Sequence, residues 1–183
     1  ALAESLRAMP PATRVLAALS LAVQEDLVLM AGPADDREGL RAQALSVVFP
    51  SGWDPADKLG HALWAIHSPV AAGQALREAS ANLSKAMVHK GPFERFVWTL
   101  SPSGSLSRWP GDPADDGPED PGLGDLWFRC ERQVTLGLPG QRASLFLIRV
   151  FVAPLTRVCE DPQRRARLVD SLQSMSDEVV MYK

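Results

Sequence analysis

The chain has 183 residues, of which 46% are hydrophobic, and a formal net charge of -3 at pH 7. This length supports one substantial hydrophobic core, so we predict a single domain over residues 1–183. An acidic balance is the opposite of what phosphate-backbone binding requires, which argues against nucleic acid as a partner. No apolar run approaches the ~20 residues of a membrane span, and no secretion signal opens the chain, so we expect a cytoplasmic protein that is not bound to a membrane.

Hydrophobic periodicity predicts a helix and two strands in the first 50 residues. The apolar stripe of an amphipathic helix, which we expect to pack on a sheet, runs over Val15, Leu16, Leu19 and Ala22. Residues 23–30 alternate between apolar and polar side chains, and residues 44–49 form a second β-branched run. Both patterns are typical of strands.

The rest of the chain reads as one long helix, three strands and a helical tail. Helical spacing returns over residues 74–90, and aromatic and β-branched strand patterns follow over 93–100, 126–136 and 144–152. Asp161 followed by Pro162 predicts the start of a helix, and Ser176 opens another short one. Because βαβ crossovers at regular spacing are missing, the order predicts an α+β fold, an antiparallel sheet of about five strands with flanking helices.

Residues 101–125 interrupt the strands with five Pro, five Gly and six acidic residues. Such a composition is typical of a disordered surface loop. The alternative is a mobile cover over a pocket, which Trp109, the only large aromatic residue in the segment, slightly favours. Both interpretations remain open at this stage.

Three charged residues interrupt otherwise apolar strand faces. By the two-residue period, Arg132 lies between Cys130 and Val134, and Glu25 and Arg149 break their own strands in the same way. A buried guanidinium needs a carboxylate or an anionic ligand. Arg132 and Glu25 therefore either pair with each other or, together with Arg149, line a pocket.

His67 stands out among the three histidines of the chain. It follows an apolar run and precedes Pro69, so a stiff segment orients its imidazole. A histidine of this kind is more often a hydrogen-bonded core residue than a ligand. The residues near His67 favour the role of a haem ligand. A haem needs a flat apolar slot, one axial nitrogen and cations for two propionates. Those parts are supplied by Trp53, Trp64, His67, Lys58, Arg132 and Arg149.

Other routes to catalysis have little support in the sequence. No nucleophile elbow, His-Glu-x-x-His helix, phosphate-binding Gly-Lys-Ser/Thr loop or dinucleotide-binding glycine motif occurs. Cys130 and Cys159 lack the spacing of a zinc site or of a covalently attached haem, and two buried thiols are the simpler interpretation over a disulfide.

Several segments together resemble the haem-dependent oxidative N-demethylases, including the haem subunit of dimethylamine monooxygenase. The similar segments, in matching order, are residues 23–27 (VQEDL), 49–55 (FPSGWDP), 58–60 (KLG), 66–70 (IHSPV), 95–98 (RFVW), 131–133 (ERQ), 138–139 (LP), 146–149 (FLIR) and 182–183 (YK). The resemblance implies a PAS-like fold, non-covalent haem b, and a monooxygenase that uses dioxygen to remove a methyl group from an amine.

The resemblance also implies roles for individual residues. His67 matches the Ile-His-x-Pro-Val motif and is expected to be the axial iron ligand. Lys58 and Arg132 match positions that could serve the propionates, and Arg95 with Trp98 matches a motif that shapes the pocket. The chain departs from the family at Val97, Ala71 and Phe151, where polar residues or a second proline are usual, and this leaves the substrate undetermined.

The sequence carries no flavin or iron-sulfur motif, so the resemblance implies an external electron donor besides the small amine substrate. An alternative function is a haem or gas sensor without catalysis, because PAS-like domains often signal. A further alternative is a family member that binds a partner subunit and no cofactor. Cys130 is the alternative iron ligand to His67, and the sequence leaves open whether the chain forms a homo-oligomer.

Overall fold

A computed structural model describes residues 2–32, 39–67, 73–112, 117–118, 120–177 and 179 of the chain. Its strands are β1 (Asp26–Ala31), β2 (Arg41–Ser46), β3 (Phe93–Ser101), β4 (Trp127–Leu138) and β5 (Ala143–Pro154). Its helices are α1 (Leu2–Ala8), α2 (Pro11–Ala22), α3 (Leu63–Ile66), α4 (Gly73–His89), α5 (Leu155–Cys159) and α6 (Pro162–Gln173). No described helix combines the length and the apolar character needed to cross a membrane.

The five strands form one antiparallel sheet in the order β2-β1-β5-β4-β3. The β4–β5 pair is the longest ladder, from Trp127 opposite Pro154 to Leu138 opposite Ala143. A short turn over Pro139–Gln141 joins these two strands and ends at Arg142, whose φ of 49° is left-handed. The antiparallel sheet with flanking helices confirms the predicted α+β class.

The two faces of the sheet carry different residues because side chains alternate along each strand. One row across β3, β4 and β5 consists of Arg95, Gln133 and Ile148. The next row, on the opposite face, consists of Phe96, Arg132 and Arg149. Helix α4 covers the first of these faces, here called the α4 face, and helix α6 lies over the second, the α6 face.

The hydrophobic core lies on the α4 face. Its buried residues are Met30, Leu40, Ala42, Met87 and Val88, with Val28, Leu63 and Ile66 packed against them. The backbone of α4 comes so close to β4 that a Cβ on Gly137 would collide with the Val88 carbonyl oxygen. The core therefore depends on a glycine near the end of β4.

Besides β1, which spans Asp26–Ala31 instead of 23–30, three predicted elements differ from the structure. β2 spans Arg41–Ser46 instead of 44–49, because the Asp26 carboxylate accepts hydrogen bonds from Val48 and Phe49 and ends the ladder there. Helix α2 forms as predicted, but it does not bury its stripe: Val15 and Leu19 are 60% and 49% exposed.

The third difference is the buried face of α4. Helical spacing over residues 74–90 predicts that Leu83 and Met87 share a buried stripe, but Leu83 is 37% exposed. The buried residues are Ser80, Ser84, Met87 and Val88. Small serines let the preceding chain approach closely, since the Leu40 amide donates to Ser84 Oγ at 3.0 Å.

The strand patterns of β3, β4 and β5 are confirmed within two residues at each end. Asp161 caps α6 as predicted, with Pro162 in its first turn and bonds from the Gln163 and Arg164 amides. In the helix predicted from Ser176, the Val179 amide donates to the Ser176 carbonyl, while Glu178 and the chain end lie outside the described residues.

Candidate functional site

His67 lies at the carboxyl end of the four-residue helix α3, on the α4 side of the sheet. Its Nδ1 is 2.8 Å from the Leu63 carbonyl oxygen. A carbonyl can only accept, so Nδ1 carries the proton of the neutral ring and Nε2 keeps its lone pair. This arrangement leaves Nε2 as the atom that can bind a metal ion.

The electrostatic surroundings keep the His67 imidazole neutral. Burial lowers the pKa of His67 below its ordinary value of 6.5, the bond to Leu63 opposes this shift, and the charges of Arg95 and Lys58 lower the pKa further. Arg95 and Lys58 therefore place the imidazole in a positive electrostatic environment. A neutral ring beside two cations suits a metal ligand close to an anionic group.

Lys58 and Trp53 reach the site from the turn segment that precedes α3. Asp54 accepts a hydrogen bond from the Ala56 amide at 2.8 Å and so begins the short helical turn that ends at Lys58. Lys58 Nζ lies 6.0 Å from the centre of the Trp53 ring, at the limit of a cation–π contact. Gly52, with a φ of 80°, supplies the left-handed backbone that turns the chain before Trp53.

Arg95 reaches the site from β3. Its Nε donates to Gln133 Oε1 at 2.7 Å, which holds the guanidinium against β4. Burial lowers the pKa of Arg95, and the charge of Glu131 opposes that shift. The structure thus gathers four of the predicted site residues on the α4 face: Trp53, Lys58, His67 and Arg95.

A partly buried polar network continues from Arg95 across β4. Gln133 donates to Glu131 Oε2 at 2.9 Å, and Ser51 donates to Glu131 Oε1 at 2.7 Å. Ser51 in turn accepts from Arg129 Nε at 2.9 Å. The network connects the guanidinium beside His67 with the segment that leads into α3.

Arg129 anchors two segments of irregular chain. The residue is 2% exposed, and its terminal nitrogens donate to four carbonyl oxygens, those of Phe49, Pro50, Ser105 and Leu106. Residues 50–52 also pair with Arg108 through backbone hydrogen bonds. The start of the 101–125 segment is therefore packed against the site; residues 113–116 and 119 lie outside the described part, and the role of a cover remains a prediction.

Sequence reasoning missed this network, because it assigned the interior to the opposite face of β4. Arg129, Gln133 and Thr135 are the buried residues of the strand. A usable signal was present: Arg129, Glu131 and Gln133 recur at every second position and offer complementary donors and acceptors. Their partner Ser51 lies about 80 positions earlier, where no local pattern indicates it.

The other three predicted site residues lie on the α6 face. Arg132 is 39% exposed at its side chain and binds Glu94 at 2.5 Å, with Glu25 at 4.0 Å, so it forms a surface ion pair with protein carboxylates. The Arg149 guanidinium stacks over Phe151 at 5.1 Å, and Trp98 stacks on Phe128 at 5.6 Å. The structure does not bring these residues together with His67.

The donor set on the α4 face fits a haem. Haem iron needs one protein nitrogen on one side, and His67 provides a nitrogen with a fixed tautomer. Lys58 and Arg95 provide the positive charge that propionates need. Within the described ranges, no three His, Cys, Asp or Glu side chains group as ligands for a metal ion of their own, and Cys130 lies on the α6 face opposite Trp98 and Phe151.

Parts of the motifs that suggested a family lie outside the described residues, namely Ser68, Pro69, Val70, Ala71, Tyr182 and Lys183. A family model described as haem-dependent oxidative N-demethylase, alpha subunit-like, matches residues 2–183. No curated protein matches the chain. The match covers nearly every residue of the sequence, so the chain belongs to the haem-dependent oxidative N-demethylase, alpha subunit-like family.

Proposed function

We propose that this protein is a haem b-dependent oxidoreductase that uses dioxygen to oxidise or N-demethylate a small amine. The observation that carries the proposal is the His67 imidazole, whose Nδ1 is bound to the Leu63 carbonyl and whose Nε2 is left for iron. Family membership supports the same cofactor.

The candidate site residues on the α4 face each contact the haem in this proposal. His67 Nε2 binds the iron, and the Leu63 carbonyl holds the ring in the required orientation and tautomer. Lys58 and Arg95 hold the propionates, since Arg132 and Arg149 lie on the other face. Trp53, beside Lys58, provides an apolar wall. When bound, haem supplies the dioxygen chemistry that oxidises a carbon next to an amine nitrogen.

Arg95 is also held in place by a series of hydrogen bonds. Its guanidinium is oriented by Gln133, which in turn is fixed by the Glu131 carboxylate. These hydrogen bonds keep a positive charge on the α4 face. The family description as an alpha subunit supports a partner subunit, which in this proposal delivers the electrons.

Haem binding is tested by absorbance spectroscopy of the protein reconstituted with haem. We expect a Soret band in the wild type, a lost or shifted band in His67→Ala, and partial recovery when imidazole is added. His89→Ala is the matched control, because His89 is exposed at the end of α4 and does not face the site. An unchanged spectrum in a folded His67→Ala variant would rule out His67 as the ligand.

Catalysis is tested separately by incubating the haem-loaded protein with dimethylamine, dioxygen and a chemical reductant. We expect formaldehyde to accumulate, and to fall to background without reductant or in His67→Ala. Reversible binding of dioxygen or carbon monoxide with no aldehyde would contradict the catalytic part of the proposal and would favour a sensor instead.

A further inference from the structure

A cavity lies on the α6 face, separated by the sheet from His67. Its volume is about 280 Å³, and it lies between the sheet and helices α5 and α6. Trp98 and Phe128 form its floor, with ring centres 5.6 Å apart and planes inclined by 23°. Val158 and Leu168 form an aliphatic wall. Its surface is therefore mostly flat and apolar.

The cavity exists because α6 stands away from the sheet. The helix is fixed at its start by the Asp161 cap and by its connection to α5, yet none of its residues is fully buried. Protein interiors are normally filled to crystal density, and an apolar gap loses dispersion contacts on both walls. A ligand that fills the gap restores those contacts.

Two arginines give this apolar cavity a positive charge. Arg164 and Arg167 line it from α6, three positions apart and so on one side of the helix. Arg164 Nε lies 3.7 Å from Asp161 Oδ2, but both side chains are exposed, and an exposed ion pair of this kind is weak enough for another anion to replace it. Among the described residues that line the cavity, none is acidic. The two guanidiniums can therefore receive an anion from outside the protein.

We propose that this cavity binds a small carboxylate with a flat apolar body, which stacks on Trp98 and Phe128 while its carboxylate binds Arg164 and Arg167. An apolar cavity of about 150 Å³ can bind benzene, so a cavity of about 280 Å³ has room for one aromatic ring with a small substituent. Benzoate has this size, shape and charge. The site is independent of the proposed haem site, because it lies on the opposite face of the sheet.

The proposal is tested by NMR titration of the full chain with benzoate as the probe. We expect a saturable shift of the Trp98 indole N–H signal, assigned by its loss in Trp98→Phe. Arg164→Gln and Arg167→Gln should each weaken binding about tenfold, as expected for the loss of a charge-assisted hydrogen bond. Arg165→Gln is the matched control, because it removes the same charge from α6 at a residue outside the cavity.

Probes of the same shape and different charge complete the test. Benzylamine should not bind, and benzyl alcohol should bind more weakly than benzoate. A linear, non-saturating response, equal binding of benzylamine, or an equal loss in Arg165→Gln would overturn the proposal. Haem absorbance recorded in parallel separates the two sites, because benzoate should leave the Soret band unchanged. The benzoate test therefore does not depend on whether the protein is an enzyme.

Discussion

The His67 imidazole owes its properties to contacts from three parts of the chain. Leu63, one helical turn earlier, fixes the tautomer, while Lys58 and Arg95 approach from the preceding turn and from β3. Burial and both charges oppose protonation, so the ring stays neutral at a lower pH than a solvated histidine would. A ligand atom is thereby available under conditions where the neighbouring cations remain charged.

This arrangement predicts the effect of Arg95→Gln on the His67 pKa. Removing one of the two positive neighbours should raise that pKa toward 6.5, measured by the pH titration of the His67 ring signals in the haem-free protein. Because the pKa of His67 is lower in the folded protein than in the unfolded chain, the free energy of unfolding decreases as pH falls below 6.5. This decrease should be smaller in Arg95→Gln than in the wild type. Arg132→Gln, on the α6 face, should leave the His67 titration unchanged; an equal shift in both variants would contradict the proximity of Arg95.

Asp26 is a second buried group with a defined structural role. It is 2% exposed and accepts from the Val48 amide at 2.7 Å and from the Phe49 amide at 3.1 Å. Burial raises its pKa above the ordinary 3.8, although the two amides oppose the shift, and Glu131 adds to it. The Asp26 carboxyl thus fixes the backbone at the start of the 49–52 segment, although burial disfavours its charged form.

The variant Asp26→Asn should destabilise the protein by about 1–3 kcal/mol, because an amide cannot accept from both backbone donors as a carboxyl does. The folded protein binds the Asp26 proton more tightly than the unfolded chain, so wild-type stability falls as pH rises from 3.8 through the raised pKa. The destabilisation should therefore be larger at pH 4 than at pH 7, as measured by urea unfolding. The exposed control Asp170→Asn should show neither effect, and the opposite pH trend would contradict the raised pKa.

Among the secondary-structure elements, α4 and β4 show how backbone packing fixes the core. Gly137→Ala should separate them, because the added Cβ would meet the backbone carbonyls of Val88 and Met87, which cannot rotate away. We expect a loss of about 1–3 kcal/mol in the free energy of unfolding. Gly140→Ala, three residues later with no atom within 4 Å of its Cβ, should change stability by less than about 0.5 kcal/mol. Similar losses in both variants would contradict the close contact.

The sequence sufficed to predict β3, β4 and β5, because each is a long segment rich in aromatic and β-branched residues. It could not predict which face of β4 is buried. A guanidinium such as Arg129 is buried only because carbonyl groups distant in sequence surround it, and those contacts form only in the folded chain.

The boundary of β2 was mispredicted for a related reason. Residues 47–49 have strand-like side chains, but their amides bind the Asp26 carboxylate instead of a neighbouring strand. A side chain from another element competed with local β propensity, and a single sequence gives no warning of such competition.

For the candidate site, the sequence predicted four residues that lie on the α4 face, and their roles stay predictions: Trp53, Lys58, His67 and Arg95. It also selected Arg132 and Arg149, since a charge in an apolar strand looks like a pocket residue. The structure gives them partners on the other face, Glu94 for Arg132 and the Phe151 ring for Arg149. Long cationic side chains at a sheet surface can cover apolar neighbours without lining a site.

Across the whole molecule, the sheet separates the two faces, and this separation makes a prediction about haem affinity. Arg95→Gln should weaken haem binding about tenfold, because it removes a cation from the face that carries His67. Arg132→Gln should leave haem affinity unchanged, because its guanidinium is occupied by Glu94 and Glu25 on the α6 face. The measurement is haem transfer from the loaded protein to an excess of apomyoglobin, followed by absorbance. If Arg132→Gln releases haem faster than Arg95→Gln, the propionates lie near the α6 face and the site proposed around His67 is wrong.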